Sequence, residues 1–573
     1  MYGIIGAYGS GKILDLSLDF TGREDFSQDF VQASIKEDNF VAQRKTLNRF
    51  TDDKIWTNTE DMYIGLEGTV LNSNVLKAEW RCSTISDVIR CAYQKMGAEL
   101  INILNGVFAL VIIDKKSDKV YIFSSHIGYK PVYYYINEKQ ILFSTDIAWM
   151  YNTVRNNGLR LLLDHDGAYC MLSMGYMLGN KTLAKDVHRV ESGEYVCFCD
   201  GRSSINKYFD LDIKTRHDMS YDELLKRADT LFCQAICRIY DKDKEYGYRH
   251  FCTLSGGLDS RCIAVVAHDL GYTDQLLVTF GQSGTQDVKI ASQIAADFGM
   301  EHITYDLDGG GCFLEFEKAV KSNGGLISFP GYMGMNKICE LFYDSRYGMV
   351  HTGMIGDLLF GGSYEKYNTD SWGIANGAFS EKLLNNLSID FRKMLTDSYS
   401  NGKTYCLENR GVNACENGFL AANCFTEASS AFIDKDFLTF ILSVPSEYLK
   451  NSRFYTDWMK KYHPNLCREI WTATLSKPGA NRIVCYAKRM KRRFLHDLFG
   501  VQHSLNPFEL WYEKNNKFRS AIDHYYRDHI DLIPAGKIRD DIGILFEGTI
   551  YEKMMAITLL ASISVFDFTY LQR

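Results

Sequence analysis

The sequence predicts a two-domain α/β chain, in which a unit of stacked antiparallel strands precedes a unit built on a parallel sheet. Three observations predict it. At 573 residues the chain is longer than one ordinary hydrophobic core accommodates. As far as residue 207, apolar runs alternate with polar positions and are broken by turn residues, as in half-buried antiparallel strands. Beyond residue 219, short strand-like runs alternate with helical periodicity, the pattern of βα units.

Composition bounds the function. Apolar residues make up 46% and charged residues 24%, as in a soluble globular protein. A net charge of −7 gives no general attraction to nucleic acid or anionic membrane, so neither is expected as a partner. The 16 cysteines form no C-x-x-C pair, which excludes a zinc ribbon or a thioredoxin-type site and reads as reduced thiols. No charged and then apolar leader opens the chain, and the apolar stretch 554–566 is shorter than the ~20 residues of a membrane crossing. A cytoplasmic location is expected.

In the first unit, residues 1–9 read as a buried strand broken by glycines. Gly6 to Lys12 fits the G-x-x-x-x-G-K of a phosphate loop, but Ile13 stands where a metal-binding Ser or Thr belongs, so residues 9–12 read as a hairpin turn. Strands are expected over 107–115, 119–124 and 132–136, and the unit closes with 195–211, giving two stacked antiparallel sheets. Residues 212–218 read as a polar linker. Ser220 caps a helix with Leu224, Leu225, Ala228, Leu231, Phe232, Ala235, Ile236 and Ile239 on one face.

The second unit carries the chemistry. A strand over 250–254, the turn Leu254-Ser255-Gly256-Gly257-Leu258-Asp259-Ser260 and a helix over 261–270 bring backbone N–H groups and a positive helix end to one point, suited to phosphate. Asp259 would repel an anion there unless a divalent cation lay between them, so the turn asks for a Mg-nucleotide. The plainer alternative is a βα turn in which Asp259 only favours the helix dipole. A second buried strand over 349–353 is followed by Gly356-Asp357-Leu358-Leu359-Phe360-Gly361-Gly362, another aspartate at a strand end, able to share the metal. With strands over 276–281 and 301–307 and a helix over 286–298, the ligand belongs at the carboxyl ends of the strands, where Ser255, Phe280 and Asp357 converge.

These two segments resemble the S-G-G-x-D-S pyrophosphate loop and the G-x-G-x-D-x-x-F-G-G segment of the asparagine synthetase family. The resemblance implies an N-terminal nucleophile-type αββα sandwich, like a class II glutamine amidotransferase, over 1–207. Over 213–573 it implies an N-type ATP pyrophosphatase domain. ATP and Mg2+ are the implied cofactors. Leu254, Ser255, Gly256, Gly257, Asp259, Ser260, Val278, Phe280, Gly353 and Asp357 would line the nucleotide, with Asp259 and Asp357 on the metal. Val278 and Phe280 would lie against adenine or serve only as core. Thr426 to Asp434 resembles E-A-R-x-P-F-L-D without its Arg and Pro, which places Glu427 near the acyl-adenylate or, failing that, at a helix cap. Lys477 falls in a lysine-bearing loop and would neutralise pyrophosphate or an oxyanion, or be a plain surface lysine.

Departures from the family pattern matter as much. Tyr2 stands where the glutaminase has its cysteine nucleophile, and a phenol with a pKa near 10 is a poor nucleophile for an amide. Glu67 replaces an oxyanion-hole amide, and Ser124-Ser125-His126 replaces R-D-R, so glutaminase chemistry is expected to be lost. Bulky Tyr2, Ile4, Ile5 and Tyr8 suggest a first unit that serves as a wall of the synthetase site. Met354 and Leu358 replace two acids of the G-E-G-x-D-E segment, which points to a substrate larger or less charged than aspartate. The implied reaction adenylates a small-molecule or peptide carboxylate, then admits an amine or ammonia from a separate source. An intramolecular cyclase of the β-lactam synthetase or lasso-peptide cyclase kind is the alternative, and a degenerate nucleotide-binding scaffold the other. Assembly as a homo-oligomer is compatible with each. The basic run over 482–493 reads as a solvated helix face.

Overall fold

The computed structural model describes residues 2–10, 16, 29–342, 346–360, 372–481, 483–485, 487, 488, 490 and 504–570. Its first unit follows from a period of two. In the strand Gly3–Gly9, buried throughout, Ile4 and Tyr8 face a core between two sheets while Ile5 and Ala7 face a layer of helices. Gly6 shares the inner face, where a Cβ would lie 2.3 Å from the Phe143 ring, so glycine lets that ring fill the core. The sheet runs in the order Val187–Arg189, Tyr133–Asn137, Gln140–Ser144, Gly3–Gly9, Phe40–Leu47, Phe30–Lys36, all antiparallel.

The second sheet repeats the logic, with Tyr63 of the strand Met62–Val70 turned inward and Ile64 and Leu66 turned to the helix Ile85–Met96. Its order is Arg202–Lys207, Glu194–Cys199, Lys119–Ser124, Gly106–Asp114, Met62–Val70, Ile55–Asn58. Helices Ile147–Asn156 and His165–Met174 cover the outer face of the first sheet, which completes an αββα sandwich. The hairpin expected over 9–12 lies largely outside the described residues, as does most of the basic run.

After Lys207 the strand direction changes. The helix Tyr221–Glu245 opens with a capping box between Ser220 and Glu223 and buries the predicted stripe. Five strands then form one parallel sheet in the order Glu301–Asp306, Gln275–Gly281, Arg249–Thr253, Tyr347–His351, Ala428–Ser429. The helix Ile550–Phe566 is buried against His165–Met174 and Phe316–Asn323, and no helix among the described residues is long and apolar enough to cross a membrane. All 16 cysteines are free.

Buried polar contacts join the two units. The His126 ring bonds the Ile433 carbonyl through Nε2 at 2.7 Å, the Tyr129 hydroxyl donates to the Gly411 carbonyl, and Arg189 pairs with Glu416 at 2.7 Å. Burial pushes the His126 imidazole down to about 4, so it docks as a neutral ring. The segment 124–134, which had lost its glutaminase-like charges, is thus an inter-unit contact.

Candidate active site

The strand Arg249–Thr253 delivers its chain to Ser255, whose N–H donates to Ser260 Oγ at 3.0 Å. The two serine hydroxyls lie 3.0 Å apart, and Gly257 N–H donates to Ser255 Oγ at 3.2 Å. Gly256 N–H is held by Asp287 at 3.1 Å, and a Cβ on Gly256 would meet Thr472 at 2.3 Å. The expected cradle is therefore closed on itself at the amides of Ser255, Gly256 and Gly257. The helix Asp259–Asp269 has no side-chain cap, so its first N–H groups stay available to an anion.

The neighbouring strand end is pressed against this helix start. A Cβ on Gly353 would fall 2.3 Å from Ser260 N and 2.5 Å from the Asp259 carbonyl carbon, so only glycine permits the approach. Gly353→Ala should shift the helix start, destabilise the chain by about 1–3 kcal/mol and weaken nucleotide binding, as read by denaturant midpoint and by titration with ATP. The contact brings Asp357 N–H to 3.0 Å from Asp259 Oδ2, while the Tyr455 hydroxyl donates to Asp259 Oδ1 at 2.9 Å. Burial first, and the Asp357 charge second, push the Asp259 carboxyl up to about 8. Two such carboxylates at one point form a donor set that a hard divalent cation would relieve, so the residues present fit Mg2+. Ile355, where the G-E-G-x-D-E pattern has its second glycine, is held at φ +62°, a strained conformation for a β-branched residue.

Leu254 is fixed from both sides, its N–H donating to Val278 O at 2.9 Å and its carbonyl accepting from Thr279 Oγ1 at 2.7 Å. Val278 is fully buried and so acts as core beneath the site, whereas Phe280 is half-buried at the strand end and faces Gly334. Lys477 is exposed, just beyond a segment that wraps the serine loop through Thr472 N–H to Gly256 O at 3.3 Å. Arg261, which no motif singled out, secures that wrap. Its buried guanidinium donates to the carbonyls of Leu466, Glu469, Ile470 and Gly256 at 2.7–3.3 Å. Tyr455 was likewise invisible beforehand, and its ring stacks on Phe360 at 4.1 Å.

Glu427 requires a correction. Neither oxygen caps a helix or meets solvent: Oε1 lies 3.0 Å from Lys54 Nζ and Oε2 3.0 Å from Lys130 Nζ, all three side chains being buried. Burial alone would raise its carboxyl, but Lys130 and Lys54 outweigh that and hold it below the ordinary value. A role at an acyl-adenylate would require this triad to open. Glu67 is also buried and neutralised, accepting from Arg44 Nε at 2.9 Å and Thr46 Oγ1 at 2.8 Å. Tyr2 is only half-buried, with Lys45 over its ring at 5.6 Å, so the tight filling comes from Ile4, Ile5 and Tyr8.

Residues 50–209 match the family model of a glutamine amidotransferase domain, and residues 229–412 that of asparagine synthase. A putative glutamine-hydrolysing asparagine synthetase of Methanocaldococcus jannaschii is 25% identical over 258 residues, 44% of this chain and 48% of the relative. The glutamine-hydrolysing asparagine synthetase 1 of Bacillus subtilis is 26% identical over 254 residues, 43% of this chain and 39% of the relative. The amidase chry2 of Gibberella zeae is 24% identical over 310 residues, 50% of this chain and 44% of the relative. The matched stretch is thus under half the length of each relative. With both domain models matched in tandem and the strand-end glycine and aspartate segments in place, the chain belongs to the asparagine synthetase family.

Proposed function

We propose that the chain is a carbon–nitrogen ligase that forms AMP and pyrophosphate, built as a degenerate glutaminase-like unit over 1–207 and a synthetase unit over 213–573, and working in the cytoplasm. The observation that carries this reading is the meeting of Asp259 and Asp357 at adjoining strand ends, beside an uncapped helix start. A carboxylate oxygen of the acid attacks the α-phosphorus of ATP, the bond to the β-phosphate breaks, and pyrophosphate leaves. An amine or ammonia then attacks the acyl carbon and loses a proton, and AMP departs with the electron pair of the C–O bond. Mg2+ held by Asp259 and Asp357 would supply charge neutralisation on the phosphates. Ser255 and Ser260, now bonded to each other, would turn their hydroxyls to the leaving group, and Lys477 would add a cation at the rim. Phe280 offers the half-buried surface for adenine.

Incubation of the full chain with ATP, Mg2+ and a panel of carboxylates should release pyrophosphate only with a matching acid. Nucleotide binding without release for every acid would instead mean a binding scaffold. The same chain should leave glutamine intact with ATP present, because residue 2 offers no thiol and Glu67 sits neutralised beside Arg44 where an oxyanion donor would be needed. Stoichiometric glutamate from purified protein would overturn the loss of glutaminase activity.

A further inference from the structure

A cavity of about 260 Å3 lies between the two units, walled by Tyr176, Phe379, Phe508, Tyr551, Met554 and Met555, with Arg410 as the one charged lining residue among those described. Its position ties it to the strand ends. Gly331 of the helix Pro330–Leu341 lines it, and one turn on, Gly334 of the same helix faces Phe280, where a Cβ would lie 3.4 Å from the ring. Leu505, one residue before the cavity-lining Asn506, accepts from Gln282 N–H at 2.6 Å just past the end of the strand Gln275–Gly281. Gly411, next to Arg410, would place a Cβ 3.1 Å from Leu358, and Gly418, close after the lining residue Asn417, would place one 2.1 Å from Met354. The segment 410–418 therefore faces the cavity through Arg410, Ala414, Cys415 and Asn417 and the loop that presents Asp357 through Gly411 and Gly418.

The chemistry of that wall is specific. The Arg410 guanidinium lies 4.9 Å from the Phe379 ring centre and 5.9 Å from that of Tyr176, held over two aromatic faces and without an acidic partner among the described residues. Among the described residues no carboxylate lines the cavity, so these residues offer an ammonium group no counter-charge. The volume exceeds the roughly 150 Å3 that suffices for a benzene ring.

We propose that this cavity is the acyl pocket and takes a compact apolar monocarboxylate, an aromatic or branched ring-sized body with its carboxylate on Arg410, rather than an α-amino acid. The assignment of the bound acid as acyl substrate rests on the ligase reading given above. Met354 and Leu358, the apolar replacements of two family acids, pack behind the segment 410–418 that forms this side of the pocket.

Binding of 3-phenylpropionate to the full chain, read by calorimetry, tests the proposal, with 3-phenylpropanol and aspartate as controls. The aryl acid should bind and aspartate should not. Arg410→Gln should weaken the acid about tenfold or more, the loss expected of a hydrogen bond to a charged group, while leaving the alcohol unchanged. Ala414→Phe, at the cavity wall, should abolish binding of both. No binding of the aryl acid at about 10 mM, or binding indifferent to both substitutions, would overturn the pocket. Pyrophosphate release is read in parallel. Release with aspartate but with no aryl acid would overturn the acyl pocket and leave the ligase reading standing. Arg410-dependent binding with no release from any acid would support the pocket's ligand chemistry and overturn the ligase reading.

Discussion

Asp259→Asn and Asp357→Asn should each lower carboxylate-dependent pyrophosphate release by about a thousandfold while the chain stays folded. The effect follows from position. Asp259 stands at the first residue of its helix, and the backbone of Asp357 is bonded to it, so the two carboxylates must be neutralised together. Removing one halves the charge available to hold a divalent cation and leaves the phosphates facing a lone acid. Folding should not suffer, because burial and the neighbouring charge already disfavour the ionised Asp259 carboxyl, and Asp357 is exposed. Thermal shift separates the two effects: Mg-ATP should raise the midpoint of the wild-type chain and leave either variant unmoved. A variant that keeps near-normal release would show that the metal is held elsewhere.

Most of this site was legible because its determinants are local. Ser255 to Ser260 and Gly353 to Asp357 each carry turn chemistry and charge within a few residues, and a strand end fixes where they point. The parallel sheet was legible for the same reason, each strand and helix announcing itself by period. What stayed hidden depends on partners distant in sequence. Nothing around Tyr455 marks it as the donor to Asp259, since the bond spans 196 residues. Arg261 reads as an ordinary helix residue until the carbonyls of 466–470 are folded over it. Ile355 was missed for another reason: a left-handed isoleucine has no sequence signature, because strain is imposed by the surrounding packing. The bulk of Tyr2 lies under Lys45 rather than in the core, which Ile4, Ile5 and Tyr8 fill instead, a division that side-chain size alone does not reveal.

The second large effect concerns Glu427, where sequence reasoning weighed a catalytic carboxylate against a helix cap and the fold supplies a third answer. Lys54 and Lys130 come from the first unit and converge on one carboxylate of the second, with all three side chains buried. Glu427→Gln leaves two ammonium groups without a counter-charge in the interface, and breaking a buried pair in this way costs about 3–5 kcal/mol. The chemical-denaturation midpoint should fall accordingly, and trypsin should begin to cut within 212–218 as the units part. The sign with pH follows from the carboxyl being held below its ordinary value. Its stabilising contribution is present above the ordinary glutamate pKa and is lost as pH falls through the lower, folded value, so acid should loosen the interface in the wild type and add little further loss in Glu427→Gln. Replacing the whole triad, as Lys54→Met, Lys130→Met and Glu427→Leu together, removes the uncompensated charge and should recover most of the midpoint. That variant also decides what Glu427 does. Pyrophosphate release that survives in it would confine Glu427 to holding the two units together, whereas a folded triple variant without release would return the carboxylate to the reacting acyl group.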